Sequence, residues 1–214
     1  MKLRLYNYWR SSSSYRIRLA LHYKQLAFEY IAVSLIRGEQ HQPEHRDRNP
    51  IGTVPLLEID DGSHVVRIPQ SIAIAEFLEE RFPERSLFPK SAIDRAHVRA
   101  LAETVNSGIQ PFQNLATLNY VKTELKADEK AWAQYWIRTG LELLEHQAAP
   151  RAGLFMLGDT FTWADCCLLP QVYSARRFGI DLNAFATLSR IEQNCLKLEC
   201  VEKSRPEIQP DALV

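Results

Sequence analysis

The fold of this chain is decided by RSSSSYRIRLAL, residues 10–21, which follows the alternating stretch LRLYNY, residues 3–8. The alternation predicts a β-strand and the later apolar spacing predicts a helix, so the four serines lie where strand passes into helix. One serine would suffice to cap the helix. Four serines beside Arg10, Arg16 and Arg18 indicate an anion site, because a helix N-terminus favours negative charge. The predicted anion is a thiolate, a carboxylate or a phosphate, but not a nucleotide, since no glycine-rich loop or lysine follows.

The composition excludes several classes of protein. The chain has 214 residues, of which 46% are hydrophobic, and its 26 Lys and Arg balance its 26 Asp and Glu. A chain of zero formal charge has no global field for nucleic acid or for a membrane surface, so the anion site must be local. The N-terminus is too polar for a signal peptide, and no apolar run approaches the ~20 residues of a membrane span. We expect a cytoplasmic protein without nucleic-acid or membrane partners.

A metal site is not predicted. The cysteines lie late in the chain and form no CxxC pair: Cys166, Cys167, Cys195 and Cys200. This is neither a disulfide framework nor a zinc pattern, so we interpret them as small hydrophobic residues. His41 and His45 have the spacing of a helical metal face, but Pro43 between them argues against a regular helix.

The sequence divides into two parts with different periodicity. Residues 1–83 give the order β-α-β-(α)-β-β-α, with a hairpin across Asp61-Gly62, and predict a small α/β domain on a mixed sheet. A proline-bounded linker, residues 84–90, follows. Residues 91–214 give only helical spacing, including an apolar repeat over 188–201, and predict an all-helical domain.

Two further stretches are candidates for ligand contact. In NPIGTVPLLEID a proline opens a strand, and a cis Val54-Pro55 bond would leave the backbone of Val54 available to an extended ligand, although trans is the commoner form. In PQSIAI, Gln70 and Ser71 begin another helix, where they would either cap it or bind a carboxylate.

These stretches resemble the zeta-class glutathione transferases. The chain is similar to that family in RSSSSYRIRLAL, TVPLLEID, PQSIAIAEFLEERFP, GIQPFQNL, GDTFTWADCCLLPQV and SARRFGIDL, in order and spacing over nearly its whole length. The family includes maleylacetoacetate isomerases, which act in aromatic amino acid catabolism, and maleylpyruvate isomerases. The resemblance implies a thioredoxin-like N-terminal domain, a helical C-terminal domain, glutathione as cofactor, a small dianionic keto acid as substrate, and a homodimer.

The resemblance also implies a role for each site residue. Ser11 would donate a hydrogen bond to the glutathione sulfur, with Ser12 beside it supporting the sulfur or an oxyanion, and Arg10 and Arg177 would face the substrate's carboxylates. An ordinary solvent-facing arginine is an equally good interpretation of Arg177. The other cofactor-binding residues are Ser13, Ser14, Tyr15, Arg16, Gln40, Val54, Gln70, Ser71, Gln110 and Asn114. The last two lie in GIQPFQN and would reach the site from the same or the partner subunit.

One departure from the family concerns the serine run. The family often reads SSCSWR where this chain has Ser13 and Tyr15. Isomerisation does not depend on that cysteine if the nucleophile is the thiol of glutathione. Two other functions fit the same residues, namely a glutathione-conjugating transferase and a non-catalytic binding protein with the same fold.

Overall fold

The computed structural model describes residues 1–212, which form two compact units. The first unit contains Met1–Ser86 together with the residues from Glu199 onward, and the second contains Leu87–Leu198. The predicted helical domain runs to residue 214, and its last two positions lie outside the described residues. Its final helix is grouped with the first unit, because that helix contacts the first helix of the chain.

The first unit contains a four-stranded mixed sheet. The strands are β1 (Lys2–Asn7), β2 (Glu29–Ala32), β3 (Leu56–Asp60) and β4 (Val65–Pro69), in the order β2-β1-β3-β4. The strand β1 pairs parallel with β2 and antiparallel with β3, and β3 and β4 form the predicted antiparallel hairpin. The two central strands bury their leucines, whereas β4 is largely exposed. This is the thioredoxin-like sheet that the sequence predicts.

Four helices accompany the sheet in this unit. They are α1 (Ser12–Tyr23), the single turn α2 (Pro43–Arg46), α3 (Ser71–Arg81) and, numbered in chain order, α9 (Glu199–Ser204). Helix α1 contacts both α3 and α9. Its apolar residues Ile17 and Leu21 have no exposed surface, and neither do Ile74 and Leu78 of α3, so these helices supply the core beside the sheet.

The second unit is helical. Its helices are α4 (Ala92–Asn106), α5 (Leu115–Thr123), α6 (Glu129–Ala148), α7 (Trp163–Arg177) and α8 (Ala186–Cys195). Between residues 87 and 198 the only sheet pairing is one bridge that joins Ala152 and Gly158. The all-helical prediction for this part of the chain is confirmed. None of the helices within residues 1–212 has the length and apolar character needed to cross a membrane.

Two details differ from the expected elements. The predicted first helix starts after the serines, but α1 begins at Ser12, so three of the four serines belong to its first turn. The apolar repeat over 188–201 is divided between α8 and α9 by a turn at residues 196–198. Apolar periodicity continues across that turn because both helices bury one face, which is why the sequence pattern alone does not reveal the break.

Helix α7 is fixed by a buried capping box. Thr162 is its N-cap, and the carboxylate of Asp165 accepts hydrogen bonds from the Thr162 N–H and hydroxyl, both at 2.8 Å. The other carboxylate oxygen accepts the N–H of Met156 at 2.8 Å. Complete burial raises the pKa of Asp165 from 3.8 to about 6, because desolvation outweighs the hydrogen bonds that favour the charged form.

This pKa predicts a pH-dependent stability. Asp165 keeps its proton to a higher pH in the folded protein than in the unfolded chain. The contribution of Asp165 to the free energy of unfolding therefore falls as pH rises from about 4 to about 6. We expect Asp165→Asn to be less stable than the parent, because an amide cannot accept all three hydrogen bonds, and we expect that deficit to narrow across this window. Thermal unfolding of both proteins from pH 4 to 7 measures it. A deficit that widens with pH would contradict the direction of the shift.

Candidate active site

The turn between β1 and α1 presents the hydroxyl of Ser11. Ser11 is the N-cap of α1, and its Oγ accepts the N–H of Ser14 at 3.2 Å, while its own N–H donates to the Tyr8 carbonyl at 3.0 Å. A hydroxyl has one proton to donate and lone pairs to accept. Since the cap uses an Oγ lone pair, the proton remains for an acceptor outside the turn. Ser11 is partly exposed, so such an acceptor can reach it.

The electrostatics of this turn favour an anion. The first turn of α1 contains no acidic residue, so the positive end of the helix dipole is not neutralised there. Arg10, directly before Ser11, is partly exposed, and its guanidinium lies over the Trp9 ring, 5.3 Å from the ring centre. The predicted anion site therefore has both a hydrogen-bond donor and a cation on one turn.

Three predicted cofactor-binding residues lie in the interior. Ser14 and Arg16 have no exposed surface, and Tyr15 is 5% exposed, whereas Ser12 and Ser13 are partly exposed. Supporting roles fit the three buried residues better than direct contact with a ligand. Arg16, for example, donates from Nη1 to the hydroxyl of Ser71 at 3.4 Å and so links α1 to α3.

The Val54-Pro55 peptide bond is cis. Val54 packs in one buried cluster with Tyr8, Trp9 and Val33, which places it beside the serine turn. Within residues 1–212 the backbone N–H and carbonyl of Val54 form no hydrogen bond with other protein groups. Most backbone polar groups with so little exposure are paired, and an extended ligand would satisfy these two.

Gln70 precedes α3 in an unusual backbone conformation. Its φ is +71° with ψ +122°, a region that residues with a side chain seldom occupy, and its side chain is exposed. Ser71, the first residue of α3, is 4% exposed and accepts the hydrogen bond from Arg16. Backbone strain of this kind is concentrated at functional sites. The conformation is consistent with the predicted contact of Gln70 with a carboxylate.

Gln40 lies in a 3-10 turn formed by Glu39–His41. The Oε1 atom of its amide is buried and has no hydrogen-bond partner among the described residues. A buried amide oxygen without a partner costs free energy unless a ligand or water supplies the missing donor. This oxygen can only accept, so it would pair with an N–H of a ligand, whereas a carboxylate at the glycyl end would need the Nε2 group of the same amide. The role predicted for Gln40 stays a prediction.

The other predicted residues belong to the second unit. Gln110 begins a 3-10 turn, Gln110–Gln113, and its Nε2 donates to the Oδ1 of Asn114 at 2.7 Å. Trp136 of α6 stacks on Phe112 in this turn, with ring centres 4.2 Å apart. Arg177 is the exposed last residue of α7, with its guanidinium over the Phe178 ring at 5.7 Å from the ring centre. The roles predicted for these three polar residues stay predictions.

The four cysteines form no disulfide within residues 1–212. Three of them, Cys166, Cys167 and Cys195, have no exposed surface. Burial raises the pKa of the half-buried Cys200 thiol to about 11. The described residues also contain no cluster of three or more His, Cys, Asp or Glu that would hold a metal.

Comparison with protein families identifies the chain. The family model for the N-terminal domain of glutathione S-transferase matches residues 1–80, and the model for the C-terminal domain matches residues 127–193. The chain belongs to the glutathione S-transferase family. It is 42% identical over 209 residues to a probable maleylacetoacetate isomerase 2 of Drosophila melanogaster, which covers 97% of this chain and 89% of that relative.

Solved structures place the transferase more narrowly. Among several crystal structures of the maleylacetoacetate isomerase of Anaeromyxobacter dehalogenans, one matches with TM-score 0.93, at 47% identity, over 99% of this chain and 98% of that chain. One contains glutathione in the active site, and another contains dicarboxyethyl glutathione and citrate. A bacterial zeta-class maleylpyruvate isomerase matches with TM-score 0.92, at 39% identity, over 98% and 100% of the two chains. The resemblance to the zeta class is confirmed.

Because the backbone of Gln70 is strained, two substitutions at this position should differ in stability while binding glutathione equally. Glycine adopts a positive φ without steric cost, so Gln70→Gly should be more stable than Gln70→Ala, by about 1 kcal/mol. Both variants lose the amide and should bind glutathione equally weakly. Denaturant unfolding and binding calorimetry measure the two quantities. Equal stability of the variants would mean that the backbone at this position carries no strain.

Proposed function

We propose that this transferase is a glutathione-dependent isomerase that converts maleylacetoacetate to fumarylacetoacetate. The observation that carries the proposal is the Ser11 hydroxyl, which accepts from the Ser14 N–H and keeps its proton for a ligand. The first unit contains other groups that would suit glutathione. The unpaired backbone of Val54 suits the cysteinyl part of the tripeptide, Gln70 and Ser71 suit its γ-glutamyl carboxylate, and Gln40 suits its glycyl end.

The first role of the site is to favour the thiolate of glutathione. A thiol of this type has a pKa of about 8.5 and is mostly protonated at neutral pH. A hydrogen bond from Ser11 to the sulfur, the unneutralised start of α1 and the charge of Arg10 all stabilise the anion over the thiol. The nucleophile is activated by its surroundings and needs no separate protein base.

The thiolate then makes rotation possible. Its sulfur forms a bond to one carbon of the cis double bond, and the π electrons move through the conjugated carbonyl to give an enolate. The former double bond is now single and rotates. When the enolate collapses, the double bond reforms in the trans geometry, the carbon–sulfur bond breaks and glutathione leaves unchanged. Prearranged donors and cations that stabilise the enolate supply the largest share of catalysis in such a step.

Two lines of support favour isomerisation over conjugation. Relatives such as the one from Drosophila melanogaster are named as isomerases. The dicarboxyethyl glutathione in the structure from Anaeromyxobacter dehalogenans is a thioether adduct, which fits a dicarboxylic ligand in that protein but does not separate the two reactions. In this chain, Arg10 and the exposed Arg177 suit a dianionic keto acid better than a neutral apolar electrophile. Maleylpyruvate is the alternative substrate, since a maleylpyruvate isomerase matches over nearly the full length.

The proposal extends to assembly, location and metabolic role. We propose a homodimer, a cytoplasmic location and a place in aromatic amino acid catabolism. The family membership supports the dimer, and cysteines without disulfides fit a reducing compartment. Parallel assays of maleylacetoacetate and maleylpyruvate with one enzyme preparation would decide which keto acid is preferred.

Removal of the Ser11 hydroxyl should lower the reaction rate far more than it weakens glutathione binding. Ser11→Ala removes the donor to sulfur but leaves Val54, Gln70 and Ser71 to hold the peptide part of glutathione. We expect kcat to fall about 10²–10³-fold, the usual effect of removing one such donor, with a much smaller change in glutathione affinity. Steady-state kinetics and calorimetry measure this, and Ser91→Ala, which removes the N-cap hydroxyl of α4, is the matched control for the loss of a cap. Turnover near that of the parent would exclude Ser11 as the donor to sulfur.

Catalytic use of glutathione separates the isomerase from a conjugating transferase. Each glutathione adds and leaves, so substoichiometric glutathione should convert an excess of maleylacetoacetate completely, with the free thiol unchanged at the end. Product analysis with thiol titration during turnover measures both quantities. The loss of one thiol for each substrate consumed, with accumulation of a thioether, would show conjugation instead.

A further inference from the structure

Asp211 joins the C-terminal segment of the first unit to the serine turn. Its Oδ2 accepts the backbone N–H of Trp9 at 3.1 Å, and its Oδ1 accepts a short hydrogen bond from the hydroxyl of Tyr30 on β2. Trp9 lies two residues before Ser11, yet Asp211 follows it by 202 positions. The carboxylate therefore fixes a main-chain group of the turn from the far end of the chain.

Arg18 fixes the same turn from its other side. Its side chain has no exposed surface, and its Nη2 donates to the Trp9 carbonyl at 2.8 Å. Its Nη1 donates to the Asn7 side chain at 3.0 Å and to the Tyr8 carbonyl at 3.4 Å. From Nε it reaches the carbonyl of Ser204, the last residue of α9, at 3.2 Å. One planar guanidinium thus connects the end of β1, the turn and the end of α9.

These contacts leave the turn little freedom. Both polar groups of the Trp9 backbone are fixed, the N–H by Asp211 and the carbonyl by Arg18. The Tyr8 carbonyl accepts from Arg18 and also from the N–H of Ser11. The position of the Ser11 hydroxyl is therefore set by Asp211 and Arg18, through their hydrogen bonds to the backbone of residues 8 and 9.

We propose that Asp211 and Arg18 are positioning residues for the reaction, which hold the turn so that the Ser11 hydroxyl points at the sulfur of glutathione. The proposal rests on the function proposed above for Ser11. Misplacement of a catalytic group by about 1 Å costs as much as 10²-fold in rate, so loosening the turn lowers turnover without removing any group that contacts the ligand. Neither Val54 nor Gln70 forms a hydrogen bond to Asp211 or Arg18. The residues proposed to bind the peptide part of glutathione are therefore not held by the two positioning residues.

The test compares three variants of the C-terminal segment in the full-length protein. Asp211→Ala removes both hydrogen bonds. Asp211→Asn keeps both hydrogen bonds but reverses the direction of one. The amide oxygen accepts from the Trp9 N–H, and the amide NH₂ group donates to the hydroxyl oxygen of Tyr30. Glu207→Ala is the matched control, since Glu207 is exposed in the same segment and its ion pair with Arg205 is long, at 3.7 Å.

We expect Asp211→Ala to lower kcat by about 10- to 100-fold and to give the bound glutathione thiol a higher pKa than in Asp211→Asn, which lacks the same charge but keeps both hydrogen bonds. The ultraviolet absorbance of the thiolate against pH measures this pKa. The KM for glutathione should stay unchanged. Asp211→Asn and Glu207→Ala should match the parent in kcat. Equal losses of kcat in Asp211→Ala and Asp211→Asn, or the same thiol pKa in these two variants, would overturn the positioning role.

Hydrogen–deuterium exchange tests the positioning without glutathione. Amides of residues 8–14 should exchange faster in Asp211→Ala than in the parent and in Glu207→Ala. Tyr30→Phe, which leaves the charge of Asp211 in place, should give a smaller change in the same direction. Exchange at residues 8–14 that matches the parent in Asp211→Ala would overturn the proposal. This readout does not depend on isomerase activity, so it also separates a failed positioning role from a failed proposed function.

Discussion

The first unit depends on one constraint, the need of a buried guanidinium for hydrogen-bond acceptors. Arg18 has no exposed surface, and an unsatisfied charge at that depth would cost more than a small unit can supply. The chain meets this need with carbonyls from the turn and from the end of α9. Residues from the two ends of the sequence are therefore grouped in one unit, and the strand-to-helix turn follows a path determined by the fork geometry of one side chain.

The site that results divides its work between backbone and side chains. In the proposed site, the backbone of Val54 and the amide of Gln70 would hold the peptide part of glutathione, while Ser11 and the start of α1 would act on its sulfur. Supporting residues such as Arg16 and Ser14 are buried beneath these positions. On this proposal, binding and activation use different groups of the same unit, so a substitution is expected to alter one without the other.

Local sequence patterns predict most of this unit, because the information they carry is local. Alternation and the Asp61-Gly62 turn predict the sheet and its hairpin, and the serine run predicts a serine cap without showing that Ser11 is the residue that forms it. The sequence does not predict the contact of Asp211 with Trp9, because no spacing rule relates residues 202 positions apart. Nor does the sequence distinguish the buried Ser14 from the three partly exposed serines. The position of the helix start decides which serine faces the interior, and the serine run does not show where the helix starts.

The state of the cysteines has a consequence for the enzyme's own survival. An unsaturated keto acid such as the proposed substrate is an alkylating agent, and thiolates are the protein nucleophiles that add to it most readily. In the part of the chain that the structure describes, three cysteines have no exposed surface and the pKa of the Cys200 thiol is about 11, so almost none of that thiol is ionised at neutral pH. Position 13 is a serine and so adds no further thiol to the serine run. With the substrate proposed here, the thiol of glutathione would be the competent nucleophile and the thiols of the protein would be spared from alkylation.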